Sequence, residues 1–167
     1  MSDTACTNMA VSAAVIQASP LGDELSDAQC DLLASAMTAC GIKDRDFLIE
    51  EGHKDDSLHV LTKGNMEVVS QTAAGEQVGL QILREGDILG ELGFLDGVEH
   101  SAGIRAMGNC ELLRLDRDSF EGLLQKDPDL VYKVMRAIVR TVHRILRNMN
   151  FQQVELTNYI AKMNGRY

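Results

Sequence analysis

The sequence predicts a mainly β protein with flanking helices, a small antiparallel jelly-roll β-barrel followed by a long C-terminal helix. Three observations lead there. Short apolar or alternating segments separated by turn residues recur about every ten positions between Phe47 and Leu115. The run 86–106, GDILGELGFLDGVEHSAGIRA, interrupts them with a glycine-rich strand–turn–helix–turn–strand pattern. Beyond Pro128 the apolar residues fall into a heptad seam. A chain of 167 residues accommodates one domain with an appendage, and with no Trp, its core must be built from Leu, Ile, Val and Met.

The elements follow in order. Residues 1–22, rich in Ala, Ser and Thr and closing on Pro20-Leu21-Gly22, read as an N-terminal tail, mobile or loosely helical. Residues 23–127 form the barrel unit. Ser26 caps a helix with apolar positions Cys30, Leu33, Ala34 and Met37, and Gly41 suits the position after its end. Phe47-Leu48-Ile49 is a short strand punctuated by Gly52. Segments 58–62 and 66–70 flank Lys63-Gly64-Asn65, a turn signal. Val78, Leu80 and Ile82 alternate with Gln77, Gly79 and Gln81 in a period of two, behind a hairpin tip at Ala74-Gly75-Glu76. Gly86-Asp87 marks another turn, segments 102–106 and 111–115 are the last two strands, and 119–125 is helical.

Residues 128–167 are the long helix and its tail, opened by Pro128. Ile138, Val142, Ile145, Met149, Leu156 and Met163, with Gln152 and Tyr159 completing the series, alternate by four and three. One small barrel would not bury so long a stripe. A homodimer is therefore expected, with Ile138, Val142, Ile145, Met149 and Leu156 at the interface and Gln152 fixing register at some cost in stability. The alternative is a helix folded back on its own barrel. The two combine if the first turns pack on the barrel and the later ones on the partner. Lys133, Arg136, Arg140, Arg144 and Arg147 lie off the seam, either as a solvated face or with an arginine leaning over the barrel mouth towards an anion.

A net charge of −9 argues against direct nucleic-acid binding, which needs a basic face, but leaves room for a locally positive nucleotide pocket. No apolar stretch approaches the ~20 residues of a membrane span, and the N-terminus lacks the basic and apolar regions of a signal peptide. Cys6, Cys30, Cys40 and Cys110 form no CxxC pair; they read as buried or idle thiols of a cytoplasmic protein. The four histidines have no metal-ligand spacing, so neither metal nor cofactor is expected. No nucleophile–base pair or paired catalytic carboxylates stand out, so no enzyme is expected.

The chemistry concentrates at Gly90-Glu91-Leu92-Gly93. A glycine lets the chain turn tightly and approach a ligand, and the free N–H groups of a following helix attract an anion. A carboxylate beside an anion site makes sense if it accepts from a ribose hydroxyl, although Glu at a helix start also complements the dipole.

The surroundings carry a resemblance. Leu48-Ile49-Glu50-Glu51-Gly52, Leu58-His59-Val60-Leu61 with Lys63-Gly64 and Val68, residues 86–93, Ser101-Ala102 and Ile104-Arg105-Ala106 stand in the order of the cyclic nucleotide-binding domain. The pattern is closest to the catabolite-activator branch of bacterial regulators. The resemblance spans roughly Leu25 to Met149. It implies a jelly-roll barrel, a short phosphate-binding cassette and a long dimer helix. It gives Glu91 the ribose hydroxyl and assigns the cyclic phosphate to backbone N–H groups of Gly90, Leu92 and Gly93 and to the segment His100-Ser101-Ala102. Val68, Leu80 and Leu83 would line the base pocket, with base contacts from the helix near Ile145 to Met149; Arg140, Arg144 or Arg147 of that helix are the cations expected to compensate where the family's phosphate-binding arginine is replaced. The ligand would be cAMP or cGMP, the output signal transduction through a protein partner.

Two departures bear on that expectation. The family reads Arg-Ser-Ala or Arg-Ala-Ala where this chain reads His100-Ser101-Ala102, exchanging a planar, permanently charged fork for a single, titrating donor. Only a few residues follow Met163, too few for the family's helix-turn-helix domain. The expected role is a stand-alone, dimeric cyclic-nucleotide sensor. The alternative is a degenerate domain that binds no nucleotide and serves as a dimerisation or adaptor module.

Overall fold

The computed structural model describes residues 5–7 and 11–165. In chain order the elements are β1 (Ala5–Thr7), α1 (Ala13–Gln17), α2 (Asp27–Ser35), β2 (Thr38–Ile42), β3 (Phe47–Ile49), β4 (Ser57–Gln71), β5 (Gln77–Leu83), β6 (Ile88–Leu89), α3 (Glu91–Asp96), β7 (Gly103–Asp116), α4 (Arg117–Glu121), a 3-10 turn (Gly122–Gln125) and α5 (Pro128–Asn164). The strands pair antiparallel in the order β1-β2-β7-β4-β5, with β3 on β7 and β6 on β4. The long strands β4 and β7 are the frame, paired from Ser57 opposite Asp116 to Val69 opposite Gly103.

Two apolar clusters hold the molecule together. Ile42, Ile49, Leu61, Met66, Leu83, Leu89, Ile104 and Leu112 fill the barrel. Ile16, Leu21, Leu33, Leu58, Phe94, Leu115, Phe120, Leu123, Leu130, Val134 and Ile138 weld the helices to its outside. Burying each such side chain contributes about 1.5–3 kcal/mol. Asp127 caps α5 by accepting from the Leu130 N–H (2.9 Å), which holds its carboxyl below the usual range.

The jelly-roll fold and long helix are as expected, but several local readings are corrected. Segments 58–62 and 66–70 are one strand, β4, because Lys63-Gly64-Asn65 is a bulge rather than a turn: the β4–β7 register shifts on both sides of Lys63, and Gly64 sits at φ +92°. A Cβ at Gly64 would lie 2.9 Å from the Asn109 carbonyl oxygen. Segments 102–106 and 111–115 are likewise continuous in β7. Helix α2 ends at Ser35, and Gly41 stands inside strand β2, paired with Glu111. Part of the expected tail, 11–22, is built into the core: Ile16 is 0% and Leu21 1% exposed. Positions 1–4 and 8–10 of that tail lie outside the described residues. Cys30 and Cys110 are buried free thiols, their pKa raised first by burial, whereas Cys40 is disulfide-bonded. Among the described residues no helix is long and apolar enough to cross a membrane.

The seam of α5 divides. Ile138 is fully buried against the protein's own helices and barrel, so it is not available to a partner helix. Val142 is half-buried. Ile145, Met149 and Gln152 line a cavity of the barrel. From Leu146 onward Phe151, Val154, Leu156, Tyr159, Ile160 and Met163 are exposed. The basic residues of the helix are largely paired: Lys133 with Asp129, Arg136 and Arg140 with Glu24, and Arg144 with Asp87 (3.3 Å).

Candidate functional site: a cavity between the cassette helix and α5

The site begins at Gly90. Its φ of +77° is a left-handed conformation that favours glycine, and a Cβ there would meet the Ser57 carbonyl oxygen at 2.7 Å. The turn ends β6 and starts α3, a helix with no side-chain cap, so the opening N–H groups of Leu92 and Gly93 have no acceptor within the helix. The other end of α3 is clamped from α4. Arg117 donates from Nε to the Phe94 carbonyl (2.9 Å) and from Nη2 to that of Gly93 (2.8 Å).

Glu91 lies in the first turn of α3, half-buried, its carboxyl pKa raised mainly by burial; its own backbone N–H and nearby His100 pull the other way. A desolvated carboxylate with so few protein donors suits a hydroxyl donor arriving with a ligand.

His100 is held by its backbone and its ring. Its N–H donates to the His53 carbonyl (2.9 Å), and its carbonyl accepts from the Gly52 N–H (2.8 Å). The ring Nε2 is 3.2 Å from the Asp55 carbonyl oxygen. A carbonyl only accepts, so Nε2 carries the hydrogen and Nδ1 is the nitrogen left for the cavity. The ring also fills the space beside Gly93, where a Cβ would approach its Cε1 and Nε2 to 2.6 Å. Beneath the turn lies His59, buried, its Nδ1 without a hydrogen-bond partner and its pKa lowered to about 4 by desolvation.

These groups share a cavity of about 390 Å³, within the size range of small-ligand sites. Gly90, Glu91, Leu92, His100, Ser101 and Ala102 line it together with Val68, Leu80 and Leu83 from the strands and Ile145 and Met149 from α5. Of the expected site residues, Gly93 does not line the cavity; it packs against the Asp55 backbone and the His100 ring. Arg144 is elsewhere: its guanidinium pairs with Asp87, in the turn before the cassette, because Asp87 is the acid within its reach. Arg105 is engaged too, donating to Glu67 (2.9 Å) and Gln77 (3.1 Å) on the barrel's outer rim. Among the described residues lining the cavity, His100 is therefore the one side chain able to carry positive charge.

Sequence reasoning missed Gln81, Ile88, Leu89, Ile104 and Gln152 as lining residues. Val78, Leu80 and Ile82, the apolar members of the period-two alternation in β5, are 44%, 56% and 52% exposed. The register shifts between Val68 and Val69, opposite Gln81 and Gly79, so Leu80 is the extra residue of a bulge, and Leu80, Gln81 and Leu83 all line the cavity.

A jelly-roll barrel whose cavity combines a carboxylate, helix-start amides and an apolar wall closed by a long helix has the form of a small-ligand-binding domain. The sequence profile of the family described as "Cyclic nucleotide-binding domain" matches residues 41–127, and the chain belongs to that family. It is 31% identical over 117 residues to the cAMP-activated global transcriptional regulator CRP of Salmonella typhimurium, a match covering 69% of this chain and 56% of that protein. The chain thus spans little more than half the length of the curated relatives it matches. The fold is shared with a cyclic nucleotide-binding domain from Methylobacillus flagellatus (TM-score 0.83, 20% identity, 92% of this chain and 89% of that one). It is also shared with the catabolite activator protein of Thermus thermophilus (TM-score 0.72, 24% identity, 83% and 63%).

Proposed function

We propose that this chain is a regulatory sensor that binds a cyclic nucleotide, cAMP or cGMP, in the cavity between α3 and α5, and acts as a dimer. The observation that carries the reading is the gathering of Glu91, the start of α3 and His100 on one cavity whose wall is otherwise largely apolar. In this reading Glu91 accepts from the ribose 2′-hydroxyl, and the N–H group of Leu92 donates to the phosphate. His100 donates from Nδ1 when protonated, and the base lies between Val68, Leu83 and Ile104 and the α5 residues Ile145 and Met149. The CRP relatives are described as cAMP-activated, which supports the same ligand class here. Dimerisation is supported by the exposed stripe from Leu146 to Met163, whose apolar side chains are each about half exposed or more.

Titration calorimetry with cAMP and cGMP tests the reading. Saturable heat abolished by Glu91→Ala is expected; no heat at millimolar ligand would refute it. One observation favours a second reading: the cavity contains no arginine. A domain that has lost nucleotide binding would serve as an adaptor, and its capture of a protein partner would be indifferent to added nucleotide.

A further inference from the structure

A cyclic nucleotide anchored by its phosphate at the cassette carries a base whose polar edge must find hydrogen bonds elsewhere in the cavity, or lose those it made with water. The helix positions where base contacts are expected, Ile145 to Met149, turn two apolar side chains to the cavity, Ile145 and Met149, and neither can supply one. The cavity-lining side chains that do hydrogen-bond are Glu91, His100 and Ser101, near the phosphate and ribose end, and two primary amides, Gln81 of β5 and Gln152 of α5. Gln152 stands three residues beyond Met149 on the same helix face. Its amide makes no hydrogen bond among the described residues, whereas Gln29, the buried glutamine of α2, is bonded to Asp127, Asp129 and Lys133. In a seam of apolar residues it is the one amide, and it faces ligand space rather than the core.

We infer that Gln152 is a base-reading residue: its amide hydrogen-bonds the exocyclic group at purine position 6, with Gln81 lining the same cavity from β5. This rests on the cyclic-nucleotide reading above and adds the recognition of the base to it. A primary amide presents a donor and an acceptor side by side, so it accepts from a 6-amino group or, turned end for end, donates to a 6-oxo group. The site therefore takes purines of both kinds and disfavours a purine with hydrogen at that position. The same residue sits in the heptad series, so base and helix are joined by a side chain whose place along α5 also bears on how the helix pairs.

The test measures affinity for cAMP, cIMP and the cyclic phosphate of purine riboside, which has hydrogen at position 6. Wild-type protein is compared with Gln152→Leu, Gln152→Glu and Gln81→Leu. Gln152 is exposed, so these variants leave the core intact. Wild type should prefer cAMP to the unsubstituted analogue by about three- to tenfold, the worth of one neutral hydrogen bond. In Gln152→Leu that preference should collapse to parity. Gln152→Glu, an acceptor only, should keep cAMP and lose cIMP by at least about tenfold. An unchanged cAMP-to-analogue ratio in Gln152→Leu would overturn the assignment, as would collapse in Gln81→Leu alone. Wild type that binds none of the three nucleotides would instead overturn the cyclic-nucleotide reading itself.

Discussion

Replacing His100 with arginine should strengthen cyclic-nucleotide binding, and the geometry sets by how much. The wild-type ring spends Nε2 on the Asp55 carbonyl at 3.2 Å and leaves one nitrogen for the phosphate, a donor only in the imidazolium form. Arginine restores a permanent charge and a second donor. An additional charge-assisted hydrogen bond is worth about 1.5–3 kcal/mol, and loss of the Asp55 contact returns about 0.5–1.5 kcal/mol. The net gain is about 1–2 kcal/mol, roughly five- to thirtyfold in Kd near neutral pH. Calorimetric titration of both proteins with cAMP measures this directly. His100→Arg protein that binds no tighter than wild type would show that the phosphate does not lie beside residue 100.

Other perturbations separate the roles assigned to individual residues. Ile138→Ala should cost about 2–5 kcal/mol in urea unfolding without changing oligomeric mass, because Ile138 is buried in its own subunit. Leu156→Glu, on the exposed stretch, should reduce the mass found by sedimentation with little loss of subunit stability. His59, lowered to about 4 by burial, must gain a proton on unfolding. Between about pH 6.5 and 4 the unfolded chain binds more protons than the folded one, so stability falls with falling pH, by up to about 3 kcal/mol from this residue. His59→Asn should flatten that part of the stability–pH profile. Gly64→Ala places a Cβ 2.9 Å from the Asn109 carbonyl oxygen at positive φ, and should lower stability by at least about 1–2 kcal/mol in thermal unfolding.

The comparison of sequence with structure turns on what a glycine means. At Gly75 and Gly86 the glycine closes a turn, and both turns were legible. At Gly64 and Gly108 an equally positive φ bends a strand that continues, and a single sequence has the same signature for both outcomes. That is why two strands were read where β4 runs unbroken, and two where β7 does. The cassette was legible because Gly90 and Glu91 are demanded by local geometry and by a desolvated acid. Gln81 and Gln152 were not, because a polar residue facing a cavity looks like one facing water. The heptad series was read correctly as an apolar face. Its division among core at Ile138, ligand space at Ile145 and Met149, and an open stretch from Leu146 depends on where the barrel ends along α5, which no local pattern records. Arg144 found Asp87 for the same reason: the acid within reach is set by tertiary structure.

The central claim is that the cavity between α3 and α5 binds a cyclic nucleotide through Glu91. The direct measurement is calorimetric titration of wild-type and Glu91→Ala protein with cAMP. Saturable binding to the wild type that weakens by at least about tenfold in Glu91→Ala is expected, the worth of a hydrogen bond to a charged acceptor. No binding to the wild type, or equal affinity in both proteins, would contradict the claim.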